Sequence, residues 1–560
     1  MTVPPERPAA ARLAATGPIR RGAPSAATRL GSAGLAAIGV SVALTLTVAA
    51  LGPSIMEPAL PGRPGQPPWS FTAHPSPYLA VALTAAAIVT GTTGLALSIY
   101  ATLRGWRVQP RLILAAGIIG AIALALLPPF GSSDHLSYAA YGRMAITGHD
   151  PYTTTPAALA RLGDPVAAAV QDWRTSPSVY GSLAVAGQAL AARIGGGSVR
   201  LTVFVLSLLN LLAFVLTGLV LHWLGRGDPG RQLRAALLWI ANPLMLLVLV
   251  AGAHLDSQAI MFAVAAVAVA VTGLATDRTA GRLRRQALIA AAAGALLGLG
   301  FAIKVTTALV GAGLAIGFLL AIRRGPVLVP HSPDGRSRLT GPAGPAGPDG
   351  PAEPADQSGA AWRQRATVLG GLTGGFVVVA AASLLPWGTA MFGPGLHAGS
   401  FTSIGSPWRL VRSGLRQLVG ESAAETVVKA GAVLLAVALL VLLLRYFRSA
   451  SDQLIAPGAF AVVFAWLLAW PYVLPWYDGL GWAMLALLPA SRLDWLLLAR
   501  TAALAIGYLP ARATGIVVPG GLRWLETVVR TAITPAALLA VLIVAVVWLW
   551  PSTQPRTVTP

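Results

Sequence analysis

The chain of 560 residues contains no cysteine. That absence excludes disulfides, thiolate nucleophiles and cysteine metal centres together. Charge is scarce as well: 11% of residues are Asp, Glu, Lys or Arg, where a soluble domain carries about a quarter. Negative charge is the rarer sign, with 19 acidic residues against 40 Lys plus Arg, and no Asp-Asp or Asp-x-Asp pair occurs. Lysine stands only at Lys304 and Lys429. The ten-residue alternating segments of a membrane β-barrel are missing. So is a basic stripe interleaved with aromatics, which excludes nucleic acid as the partner. The formal charge of +21 has another source, because the arginines sit at the ends of apolar runs, as topology signals do.

What is present is hydrophobic length: 55% of residues are apolar or aromatic. Runs long enough to cross a bilayer recur from end to end, so the sequence predicts an all-α polytopic membrane protein. Candidate spans are 31–52, 78–101, 112–129, 199–224, 235–251, 258–275, 287–303, 305–322, 366–387, 427–446, 454–470, 479–491, 494–509 and 531–550, about 12–14 transmembrane helices. The run at 479–491 is short for a crossing and suits a re-entrant segment. Residues 1–30 are Pro-, Ala- and Arg-rich and read as a disordered cytoplasmic arm. The transmembrane domain is expected over 31–550, followed by a short tail, 551–560. Within it, 325–362 is a low-complexity Gly/Pro linker on the cytoplasmic side.

Arginine fixes the expected orientation. Arg104, Arg107 and Arg111, then Arg226, Arg231 and Arg234, then Arg278, Arg282, Arg284 and Arg285, then Arg323 and Arg324, then Arg445 and Arg448 mark cytoplasmic turns. Both termini are then cytoplasmic in a multi-pass plasma-membrane protein. Between these marks the chain must cross in pairs. Three hairpins therefore turn on the outer side, at Gly252-Ala-His-Leu-Asp-Ser257, at Lys304, and at Trp470-Pro-Tyr-Val-Leu-Pro-Trp-Tyr-Asp-Gly479. The long loop 130–197 lies on that side too, so the unusual polar residues gather at one face.

Asp134 opens the run after the third span, followed by Tyr138 one helical turn on. Positions i and i+4 share a helix face. A carboxylate against an apolar wall has its pKa raised and can take a proton from an attacking hydroxyl. The plainer role is a helix N-cap. Arg143 follows in the same run. His254 and Asp256 sit on an outer hairpin, either as polar contacts to a ligand or as a solvated tip. A divalent ion there would need further ligands at a compatible spacing; Asp134, Asp256 and Asp478 could supply oxygens, but without an Asp-x-Asp or Asp-Asp pair a divalent metal is not favoured, and no cofactor is expected. Lys304 can meet a phosphate as a point charge or simply snorkel to the interface. Trp476, Tyr477 and Asp478 lie in a turn stiffened by two prolines. Arg409 lies beside Trp408 at the start of an amphipathic stretch suited to the headgroup region.

The blocks Asp134-His-Leu-Ser-Tyr-Ala-Ala-Tyr-Gly-Arg-Met-Ala145, Asp150-Pro-Tyr-Thr-Thr-Thr-Pro156, Asn242-Pro-Leu244, Gly252-Ala-His-Leu-Asp256, Lys304 and Pro471-Tyr-Val-Leu-Pro-Trp-Tyr-Asp478 resemble the actinobacterial polyprenol-phosphomannose-dependent alpha-1,6-mannosyltransferases, the MptA/MptB group of the GT-C superfamily. The resemblance implies a GT-C-like fold with the active site on the extracytoplasmic face. It implies a polyprenyl-phosphomannose donor and a lipid-linked mannan acceptor, the backbone of lipomannan and lipoarabinomannan. A β-linked donor and an α-linked product imply inversion by single displacement, with Asp134 as the base. Many GT-C enzymes carry two adjacent acids where this chain has Asp134 followed by His135, which favours a metal-independent mechanism. Lys304, Arg409 or Tyr477 would then stabilise the leaving phosphate. The alternatives are another envelope sugar transferase, α-1,2-mannosyl or arabinofuranosyl, and a polyprenyl-linked sugar transporter. A transporter should carry its polar residues near mid-membrane.

Overall fold

The computed structural model describes residues 25–274, 282–322, 354–399, 401–450, 454–510 and 517–550. Among these the regular structure is all helical, without a strand. Among the described residues eight helices are long and apolar enough to cross a membrane, and Pro110–Ala125, Thr307–Ala321 and Ile455–Ala469 are shorter apolar ones. The architecture is the all-α membrane bundle the sequence predicts. Most of the arm 1–30, most of the linker 325–362, the tail 551–560 and the topology marks Arg278, Arg323 and Arg324 lie outside the described residues. The first helix, Ala26–Leu51, begins earlier than position 31, because Ser25 caps it by accepting from Thr28 N.

Small residues let the first two helices approach closely. A Cβ on Gly94 would lie 2.7 Å from Ile38 N and 2.8 Å from Gly34 O. In a bilayer, where burial gives no drive between helices, such close van der Waals contact is what joins them. The buried Ser41 hydroxyl closes the pair by donating to the Ala87 carbonyl at 2.6 Å.

The span expected as 235–251 is not one straight helix. It runs Pro229–Ala251 and breaks at Ala241-Asn242-Pro243, since Pro243 has no N–H to give. Asn242 caps the second half, its Oδ1 accepting from Leu244 N and Met245 N. Both halves end in widened turns with bonds five residues apart: Ala241 N to Ala236 O, Gly252 N to Leu247 O, and His254 N to Leu249 O at 3.1 Å. Single wide turns of this kind recur at functional sites. Here the last one sets the position of His254.

The segment expected as a short span at 479–491 is the helix Asp478–Leu485, buried along its whole length. The outer loop after the third span is itself packed. Its first helix, Asp134–Ile146, lies so close to the helix Ser182–Gly195 that a Cβ on Gly142 would sit 2.1 Å from the Gln188 carbonyl oxygen. At Gly181 the same loop binds the Lys304 turn, with Gly181 N donating to Ile303 O and Leu183 N to Ala302 O. Position 181 has no room for a side chain, being 2.2 Å from Ala302 O. The loop, the Lys304 turn and the His254 hairpin are thereby fixed at one end of the bundle.

Candidate active site

Asp134 begins its helix behind Ser133, and its carboxylate does not serve as the cap. Oδ1 instead accepts from the indole Nε1 of Trp173 at 3.2 Å, while Oδ2 faces His254 Nε2 at 3.7 Å. The side chain keeps 14% of its surface accessible. Trp173 sits at φ +61°, a left-handed conformation that is uncommon outside glycine. Its neighbour holds it there: Asp172 Oδ2 accepts from Ser133 Oγ at 2.7 Å, and its carbonyl accepts from Ser137 Oγ. Phe401 then stacks on the indole.

Across from Asp134 stands Lys304, whose Nζ donates to Asp256 Oδ1 at 2.6 Å and lies 4.2 Å from the centre of the Tyr477 ring. An ammonium has three donors, so one carboxylate and one aromatic face leave it able to meet an anion. The three expected hairpins therefore do converge. Asp134 and Tyr138 come from the outer loop, His254 and Asp256 from the first hairpin, Lys304 from the second, and Trp476 and Tyr477 from the third, the Pro-rich turn. His254 is no solvated tip: it is 2% exposed, and its ring stacks on Trp476 at 3.7 Å. Tyr138 is buried and accepts at 3.4 Å from the hydroxyl of Tyr180, which it meets edge-on. Below His254 and Trp476 a cavity of about 40 Å³ is walled by Met56, Phe130, Val248 and Tyr508, so the floor of the site is apolar.

Burial dominates the electrostatics. It raises the Asp134 pKa to about 7, against the lowering effects of Lys304 and the Trp173 bond and with the raising effects of Asp172 and Asp256. Burial likewise lowers His254 to about 3. Its Nδ1 lies 2.6 Å from the Val248 carbonyl, which can only accept, so Nδ1 carries the proton and Nε2 presents a lone pair.

Two expected site residues are placed elsewhere. Asp478 is fully buried and faces away into the bundle. It is ion-paired to Arg500, and its Oδ2 accepts from Thr501 Oγ1 at 2.8 Å. A carboxylate buried and paired in this way is held within the bundle. Arg143 is held by Asp164 at 2.6 Å, and Asp164 also caps the short helix Pro165–Ala168. This ion pair stiffens the outer loop. Arg409 lies at the start of the helix Trp408–Val419, with its Nη1 buried and without a hydrogen-bond partner among the described residues. The charges that act on Asp134 include Lys304, Asp172 and Asp256. No three His, Asp or Glu side chains among the described residues gather as a metal site would require. Sequence reasoning missed Trp173, Asp172 and Tyr180, all carried by the outer loop without a pattern to flag them.

This grouping of Asp134, His254, Asp256 and Lys304 falls within the stretch that decides the family. A sequence model described as alpha-(1->6)-mannopyranosyltransferase, N-terminal domain, matches residues 36–321. The chain belongs to that family. Trp476 and Tyr477 lie beyond the matched residues and join the site only through the fold. Alpha-(1->6)-mannopyranosyltransferase A of Corynebacterium glutamicum is 26% identical over 136 residues, which is 24% of this chain and 27% of that protein. The matched part thus spans about a quarter of the relative's length. No solved structure matches the chain.

Proposed function

We propose that the protein is a membrane mannosyltransferase that moves mannose from polyprenyl-phosphomannose to a lipid-linked mannan acceptor, forming an α-1,6 linkage by inversion. Asp134 is the base. The acceptor's 6-hydroxyl gives its proton to the carboxylate as its oxygen bonds to the mannose anomeric carbon. The bond from that carbon to the phosphate oxygen breaks in the same step, and the phosphate leaves with the electron pair. Lys304 faces the charge that develops on the leaving group, and the apolar floor strengthens that interaction. The site lies on the outer face of the plasma membrane.

The observation that carries this reading is the under-satisfied Asp134 carboxylate, facing Lys304 across a site built from four separate segments in a chain of this family. Family membership and the mannosyltransferase name of the Corynebacterium glutamicum relative support mannose as the transferred sugar. The test is transfer by membranes given labelled polyprenyl-phosphomannose and an α-1,6-oligomannoside, with linkage analysis of the product. Wild type should extend the oligomannoside through 6-linked mannose, and Asp134→Asn at equal protein level should not. A 2-linked product, or transfer only from an arabinofuranosyl donor, would replace this reading with another sugar transferase.

A further inference from the structure

The contact between Asp134 and His254 has a sign that the roles above do not use. His254 Nε2 is buried and has no hydrogen-bond partner among the described residues. Asp134 Oδ2 faces it at 3.7 Å. The ring cannot turn to hide this atom, because Nδ1–H is bound to the Val248 carbonyl and the face is stacked on Trp476. The hairpin itself is held against strain. Ala253 sits at φ +50°, an uncommon value without glycine. Asn210 Nδ2 fixes its carbonyl at 2.8 Å, while Asn210 Oδ1 accepts from Gln258 Nε2 at 2.7 Å. Strain of this kind persists where the surroundings over-determine it, and it gathers at functional positions.

A lone pair aimed at a carboxylate repels it, and aimed at a carboxylic acid it accepts the acid's proton in a hydrogen bond. We propose that His254 is a positioning residue that makes Asp134 a stronger base by favouring its protonated form. This rests on the reading of Asp134 as the base. In the transfer step the proton that reaches Asp134 from the acceptor hydroxyl is met by His254 Nε2, so proton transfer and a new hydrogen bond form together. His254 acts through Asp134 and does not touch the sugar. The other groups facing the pair are Lys304 and the Trp173 indole, which favour the carboxylate, and Asp172 and Asp256, which favour the acid. His135 and Lys304 both bear on His254 and oppose its taking a second proton. Tyr138 and Tyr180 are phenols that stay neutral here.

The experiment uses the full-length protein in membranes and reads the pH dependence of kcat/KM. His254→Gln replaces the lone pair by an amide that can donate. The acid limb should move to lower pH by roughly one unit, tenfold in proton affinity. Trp173→Phe, which removes a donor to the carboxylate, should move the same limb upward. An unmoved limb in His254→Gln overturns the inference, and so does an upward shift, which would mean that the pair is an imidazolium with a carboxylate. Infrared titration of purified wild type needs neither variant. A carboxylic C=O band that is absent from Asp134→Asn should disappear as pH rises through about 7. Its absence across the acid range also overturns the proposal. Should Asp134→Asn transfer mannose normally, the base assignment itself falls, whereas an unaltered titration in His254→Gln removes only the role of the histidine.

Discussion

Asp134 and Asp478 are the same side chain used in opposite ways. Asp478 is fully buried between Arg500 and Thr501, which in turn accepts from Trp482 Nε1, so both of its oxygens are met. Asp134 keeps one indole bond at 3.2 Å, partial access to solvent, and a histidine lone pair where a donor would be expected. A carboxylate surrounded by donors is bound in place and belongs to the architecture. One left short of donors against an apolar wall keeps its affinity for a proton and belongs to the chemistry. The lesson is that burial alone does not mark a catalytic acid. The balance of donors around it does.

The sharpest way to break this comparison is to change both residues alike. Asp134→Asn should lower transfer by about a thousandfold or more, in line with loss of a general base, without a change in thermal unfolding in detergent. Asp478→Asn should do the reverse. It leaves Arg500 buried and uncompensated, a loss on the order of 3–5 kcal/mol, read as a fall in unfolding temperature and in protein level. Equal outcomes for the two variants would erase the distinction.

A smaller effect is expected at Lys304. Lys304→Met should reduce kcat/KM for the lipid phosphate donor by roughly a hundredfold, the scale of one lost electrostatic contact to a developing anion. Lys304→Arg should restore little, since the planar guanidinium does not reproduce a compact ammonium between Asp256 and the Tyr477 ring. Full activity in Lys304→Met would move the phosphate site elsewhere, with the unpartnered Arg409 Nη1 the next place to look.

The gentlest test is pH. As the proposed base, with its pKa raised to about 7, Asp134 would be the active carboxylate above that value and the inactive acid below it. The wild-type kcat/KM should therefore fall tenfold for each pH unit below about 7 and level off above it. A profile flat down to the ordinary carboxylate range, about pH 4, would show a well-solvated Asp134 no different from any surface acid.

Much of the fold was legible beforehand. Long apolar runs bounded by arginines read directly as spans, because a bilayer demands length and internal hydrogen bonding wherever a chain crosses it. Pairing those spans brought the hairpins at His254, Lys304 and Trp476 to one end, where the structure also has them. Two residues have partners that could not be foreseen, for one reason: a sequence shows a charge but not its partner. Asp478 was grouped with Trp476 and Tyr477 as its neighbour in the turn, yet it starts a buried helix and meets Arg500, twenty-two positions later. Arg143 shares the Asp134 helix, and Asp164 claims it. Arg234 was read as a topology mark, and the fold pairs it with Asp494 in a two-pronged bond at 2.6 and 2.8 Å.

The amino-acid order by itself determined that this chain is a helical bundle in a membrane, where its polar turns gather, and that Asp134 and Lys304 stand apart from the other charges. These follow from local composition and from the parity of crossings, neither of which needs distant contacts. Only the tertiary structure decided what each polar group faces. It aimed Trp173 at Asp134, turned the His254 lone pair toward the same carboxylate, and gave Asp478 to Arg500. Hydrogen-bond donors act over about 3 Å, and at that range the neighbours of a side chain are chosen by packing between segments far apart in the chain.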